Sequence, residues 1–306
     1  EDGKTLKQLL SMVGRNPRLK RIIKPTLRLA LSKALEDRET LSLCLNRFEE
    51  NPNLRDCLKA TLVKASTDPE TRCLRLFLDR FEEGHRILNE IFTPDLLGSA
   101  LIGSSKDGET LKQFLNLFTG YKLNAISGDN LGAALVTASE NKETLRLFLD
   151  SAKLQPFKIS TPSLETALTK ASEDREILHL FLNTFSTNRN LADISKPFLE
   201  EALIKASEDI ETIDPFLRET LSLFLNRFAR NPHLKEISTP YLEKALTRAS
   251  LNIQTLGLFL RSFARNPSLL EISAVPLRAA SKIASGDREI TTLFFDTFVN
   301  NPNLGR

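Results

Sequence analysis

The sequence has no run near the ~18 apolar residues that a membrane-spanning helix needs, and no charged-then-apolar segment opens it. A soluble body is therefore expected. Charge of one sign is missing too: 42 Lys and Arg stand against 39 Asp and Glu, so no long-range field commits the surface to nucleic acid or membrane. Histidine is scarce, and His85, His179 and His233 fall in unrelated repeat slots, so no His-anchored triad, dyad or metal site is suggested. Neither GxxxxGK[ST] nor GxGxxG occurs, so no phosphate-cradling loop is expected. These absences predict no enzyme, no metal and no cofactor. Cys44, Cys57 and Cys73 are an odd number without CxxC or metal-type spacing. They read as reduced thiols, Cys44 in an apolar slot where other copies carry Phe, and predict a reducing compartment, the cytoplasm or the interior of a host cell. Position 1 is Glu, and Asn300 to Arg306 stop inside a loop that recurs upstream, which predicts a fragment of a longer array.

What the chain does have is periodicity, and a missed repeat miscalls a whole fold. An Asp or Asn standing two residues before a Glu-Thr-Leu-like triplet recurs at Asp2, Asp37, Asp68, Asp107, Asn141, Asp174, Asp209, Asn252 and Asp287. The spacings are 35, 31, 39, 34, 33, 35, 43 and 35, and the longest reflects an insertion at 210–217. Upstream of the marker, Leu and two Ala recur three and four apart, as in Leu164, Ala167 and Ala171 or Leu242, Ala245 and Ala249. That spacing makes one helical face, and Ala lets a neighbouring helix come close. This first helix often opens with Ser/Thr-Pro, as at Thr161-Pro162 and Thr239-Pro240, where the hydroxyl suits an N-cap and Pro the first turn.

Downstream of the marker lies a denser apolar block, such as Leu256, Leu258, Phe259, Leu260 and Phe263, which occupies more than one face and predicts a second helix sandwiched between units. Asn-Pro follows at Asn16-Pro17, Asn51-Pro52, Asn231-Pro232, Asn266-Pro267 and Asn301-Pro302, ending or kinking that helix. Leu234 to Ser238 illustrates the linking stretch, with Leu and Ile placed to plug the seam between units. One helix pair offers too little surface for a core, so neighbours must supply the other wall. The expectation is an all-α, right-handed solenoid of nine two-helix copies spanning 1–306 as one monomeric array. It is least regular over 82–157, where Gly84, Gly98, Gly103, Gly108, Gly120, Gly128 and Gly132 accumulate and bending is expected.

Two polar columns are candidate binding surfaces. The first is the marker itself: Asp37, Asp68, Asp107, Asn141, Asp174, Asp209, Asn252 and Asp287 would stand in a row at the inter-helix turns. Helix capping, worth about 1 kcal/mol per residue, explains the same column. The second is basic, at Lys33, Lys64, Lys170, Lys205, Arg248 and Lys282. It reads either as an anion-binding stripe or as a ladder paired across the turn with Glu39, Glu70, Glu109, Glu143, Glu176, Glu219 and Glu289.

Thr239-Pro240, Ala249-Ser250-Leu251-Asn252 and then Leu256 and Leu258 resemble the repeats of TAL effectors, bacterial DNA-binding proteins. Ala-Ser recurs at Ala65-Ser66, Ala138-Ser139, Ala171-Ser172, Ala206-Ser207 and Ala284-Ser285. The resemblance implies that the second turn residue, here the Asp/Asn column, reads a base and that a Pro kinks the second helix. Degenerate ankyrin and tetratricopeptide repeats share the helical-pair plan and stand as alternatives. Where the TAL pattern continues with Gly-Gly and then Lys or Gln, this chain has Arg38-Glu39 and Arg175-Glu176, and a carboxylate repels phosphate. The leading expectation is therefore a protein-binding scaffold, and DNA or RNA recognition through the turns is the alternative.

Overall fold

The computed structural model describes residues 55–67, 72–82, 92–118, 123–151, 158–208 and 219–305. Among the described residues are fourteen α-helices and no strand. They are α1 (Arg55–Thr67), α2 (Arg72–Glu82), α3 (Pro94–Ser104), α4 (Gly108–Leu117), α5 (Gly128–Ala138), α6 (Lys142–Asp150) and α7 (Thr161–Ala171). The series continues with α8 (Arg175–Thr184), α9 (Lys196–Ala206), α10 (Thr220–Phe228), α11 (Thr239–Ala249), α12 (Ile253–Phe263), α13 (Ala274–Ala284) and α14 (Arg288–Phe298). Asp37, Asp68, Asp209, Lys33, Cys44 and the insertion at 210–217 lie outside the described residues. No described helix is long and apolar enough to cross a membrane.

The chain divides into two compact units, Glu1–Gln155 and Pro156–Arg306. In the first, α1, α3 and α5 pack in sequence as one row, and α2, α4 and α6 as a second. In the other, α7, α9, α11 and α13 make one row and α8, α10, α12 and α14 the second. Each odd helix also packs on the even helix that follows it, so packing runs from neighbour to neighbour. The periodic residues account for this. Leu164, Ala167 and Ala171, like Leu242, Ala245 and Ala249, are fully buried in the odd row. In the even row five of the seven helices bury a Phe pair one turn apart, Phe114–Phe118, Phe181–Phe185, Phe224–Phe228, Phe259–Phe263 and Phe294–Phe298, with ring centroids 4.7 to 5.0 Å apart. Such tilted pairs add about 1 kcal/mol beyond the area they bury.

Each helix pair in the second unit is closed by a third element. Helices α10 and α12 end at Phe228 and Phe263, and Asn-Pro opens separate 3₁₀ turns at Pro232–Glu236 and Pro267–Glu271. The kink implied by the TAL-effector resemblance is absent there, because the proline stands beyond the helix end, where no intrahelical bond is lost. Leu191, Leu234 and Leu269, with Ile194, Ile237 and Ile272, turn inward from these segments and are buried, filling the seams between copies.

Two glycines of the first unit mark tight helix contacts. A Cβ on Gly103 would lie 2.5 Å from the Ser66 carbonyl oxygen, so α3 meets α1 at backbone distance. A Cβ on Gly98 would fall on the Asn130 side chain of α5, 2.1 Å from Nδ2. Both glycines are buried within α3 and serve close approach.

Candidate functional site

At the inter-helix turns the described markers cap the even helices. Asp107, Asn141, Asp174, Asn252 and Asp287 are extended N-cap residues whose side-chain oxygens accept backbone N–H groups of the first turn. Asn252 Oδ1, for instance, accepts from Gln254 N at 2.9 Å and Thr255 N at 3.1 Å. Asp107 also accepts the Thr110 hydroxyl at 2.6 Å, and chiefly this bond holds its carboxyl below the ordinary carboxylate range. The serine of Ala-Ser has an equally local task. Ser66, Ser139, Ser172, Ser207 and Ser250 are buried and donate to the carbonyl four residues back, at 2.6 to 2.8 Å, closing the end of the odd helix.

The basic and acidic columns do not form the expected ladder across the turn in the ion pairs described. Lys170 pairs with Glu173 at 2.8 Å and Lys205 with Glu208 at 2.9 Å, each three residues on and just before the marker position. The acidic column pairs between copies: Glu109 with Arg75 at 2.7 Å and Glu289 with Arg261 at 2.6 Å, bridging adjacent even helices. Helix geometry is the reason, since three-residue spacing brings Lys170 and Glu173 together while the cap turn carries the acidic column to the next face. Lys64 and Lys282 are exposed and Arg248 is half-buried.

Two polar networks went unread in the sequence. The Asn of Asn-Pro is buried and ties copies together: Asn231 Nδ2 donates to the Leu191 and Ile194 carbonyls at 3.1 and 2.8 Å. Asn266 does the same to Leu234 and Ile237, both at 2.9 Å, and Asn301 to Leu269 and Ile272 at 2.7 and 3.1 Å. Asn188, which precedes Arg189 rather than Pro, reaches Ile159 at 3.1 Å. The second network starts from glutamates on the odd helices. Glu165 Oε1 accepts Ser195 N and Oγ at 2.8 and 2.7 Å, Glu200 accepts Ser238 N and Oγ, both at 2.8 Å, and Glu243 accepts Ser273 N at 2.6 Å. Ser160, Ser195, Ser238 and Ser273 are the N-caps of the odd helices, so the cap stands one residue before the Thr161 and Thr239 that the sequence pointed to. For Ser195, Ser238 and Ser273 the capping acceptor is a carboxylate of the preceding copy.

One turn differs from the rest. Glu173, Asp174 and Glu176 give the α7–α8 turn three carboxylates, and Glu140 and Glu143 flank Asn141. Around Asn252 the same positions hold Leu251 and Gln254, so this turn has none. It borders an open groove of about 770 Å³ between α10 and the α11–α12 turn, whose lining includes Ser222, Asn226, Leu251, Asn252, Gln254 and Leu258. Leu251 is 67 % exposed at its edge. Among the described residues no group of His, Cys, Asp and Glu is placed to hold a metal ion.

No protein-family model, curated protein or solved structure matches this chain.

Proposed function

We propose that the chain is a non-enzymatic helical-repeat scaffold, a right-handed α-solenoid whose copies present a surface to a protein partner. One observation carries the reading: four of the repeating polar columns are engaged in holding the fold. The marker caps a helix, the Ala-Ser serine closes one, and the Asn and Glu networks tie neighbouring copies. The exposed residue just before the marker varies from copy to copy, as Lys106, Glu140, Leu251 and Gly286 do. A constant frame with variable exposed side chains suits recognition of an irregular polypeptide.

The test is anisotropy titration against random duplex DNA, single-stranded DNA and RNA at about 50 and about 200 mM salt. The proposal expects no binding at the lower salt; tight binding with a steep salt dependence would transfer the function to nucleic acid. A companion measurement uses Asp174→Ser and Asn252→Ser, because Ser still caps. Unchanged stability with loss of nucleic-acid binding would make the marker column a reader of bases.

A further inference from the structure

We propose that the groove bordered by the Asn252 turn is a binding site for an extended, uncharged polypeptide segment that carries an aliphatic side chain. This inference rests on the protein-binding reading and names the partner's chemistry. Its first ground is charge. The Asn252 turn replaces the acidic pattern of the Asp174 turn with Leu251, Asn252 and Gln254, and among the described residues the charged lining is one of each sign, Glu219 and Arg248. A strongly charged ligand of either sign meets as much repulsion as attraction there.

The second ground is hydrogen-bonding capacity. Asn252 uses Oδ1 for capping. Its Nδ2, and the exposed side-chain amides of Asn226 and Gln254, make no hydrogen bond among the described residues. An Asp at the marker would cap equally well and offer no donor; Asn adds one at the edge of the groove. A side-chain amide carries a donor and an acceptor, the complement of a peptide unit, and needs neither charge nor proton transfer to bind one. The hydroxyls of Ser222 and Thr255 are bonded to each other at 2.8 Å between α10 and α12 and so join the two walls.

The third ground is the apolar edge. Leu251 stands exposed where Glu173 stands in the α7–α8 turn, and Leu258 is half-buried in the groove wall. An exposed Leu at the mouth of a groove rimmed by amides gives one side chain of an extended segment an apolar seat while its backbone meets the amides.

The experiment pans a displayed library of random linear peptides against the full chain, then titrates a labelled selected peptide. The control is the triple variant Leu251→Glu, Asn252→Asp, Gln254→Glu, which restores the acidic pattern of the Asp174 turn and so keeps the local fold. Equal melting temperatures by circular dichroism verify that fold. The expected result is enrichment of uncharged peptides with an aliphatic residue that lose at least tenfold in affinity for the variant. Peptides that bind both proteins alike would overturn the groove and leave the scaffold reading standing. A library that yields no binder, with nucleic acid bound instead, would overturn both. Deleting 210–217 joins Asp209 to Arg218 and restores the Asp-Arg-Glu-Thr run seen at Asp37. Peptide affinity is expected to survive that deletion; a tenfold loss would place the contacts on the inserted segment and overturn the proposal.

Discussion

Asn252 and Asn266 flank the same helix, α12, and use the amide group in opposite ways. Asn252 needs only an acceptor oxygen for capping, while Asn266 needs both ends, Nδ2 donating to Leu234 and Ile237 and Oδ1 accepting Ser268 N at 2.8 Å. Aspartate should therefore be tolerated at one and not at the other. Asn252→Asp is expected to stay within about 0.5 kcal/mol of the parent in urea denaturation, since Asn and Asp cap alike. Asn266→Ala should lose about 3 kcal/mol by orphaning buried carbonyls, and Asn266→Asp at least as much, because a buried carboxylate would face two carbonyl oxygens. Equal tolerance of Asp at both sites would contradict the seam role of Asn266. Asp107 gives a pH test. Its folded carboxyl titrates below its unfolded value, so its stabilisation is complete above about pH 4 and is lost as pH falls through the folded pKa. Asp107→Asn keeps the cap without the titration. The stability gap between parent and Asp107→Asn should narrow from neutral pH to about pH 3, measured by denaturant midpoints.

At the scale of elements, close helix approach makes a prediction. The Cβ of an Ala at Gly98 would meet the Asn130 side chain down to its Cβ, 2.8 Å away, and at Gly103 it would meet the Ser66 backbone. Each substitution is expected to cost about 2 kcal/mol, Gly103→Ala through displacement of α3 from α1 and Gly98→Ala through displacement of α3 from α5. Thermal melts of the two variants decide it. The helices were readable in the sequence because their Leu, Ala and Phe columns repeat at helical spacing. The marker was readable as a cap for the same local reason. The networks were not: Asn231 and Ile194 are 37 residues apart and Glu165 and Ser195 are 30 apart, so only the packed neighbour reveals the partner. The close contacts of Gly98 and Gly103 were not readable either, since spacing alone does not distinguish a flexible glycine from one pressed against a neighbour. The groove was equally hidden, because α10 contributes one of its walls.

For the whole molecule, packing from neighbour to neighbour implies that a part can stand without the rest. Residues 156–306 form a compact unit whose described helices pack in two rows of four. Expressed alone, that segment is expected to show helical circular dichroism and a cooperative melt. A broad, non-cooperative loss of signal would show that its order depends on residues 1–155. The carboxylates held by Ser195, Ser238 and Ser273 carry a further consequence. Amide protons at a helix start ordinarily exchange with solvent quickly, having no partner within the helix. Here each of the three is bound by a glutamate one copy away. Their exchange rates therefore time the parting of individual junctions, three clocks placed along one unit and readable by deuterium uptake without any label.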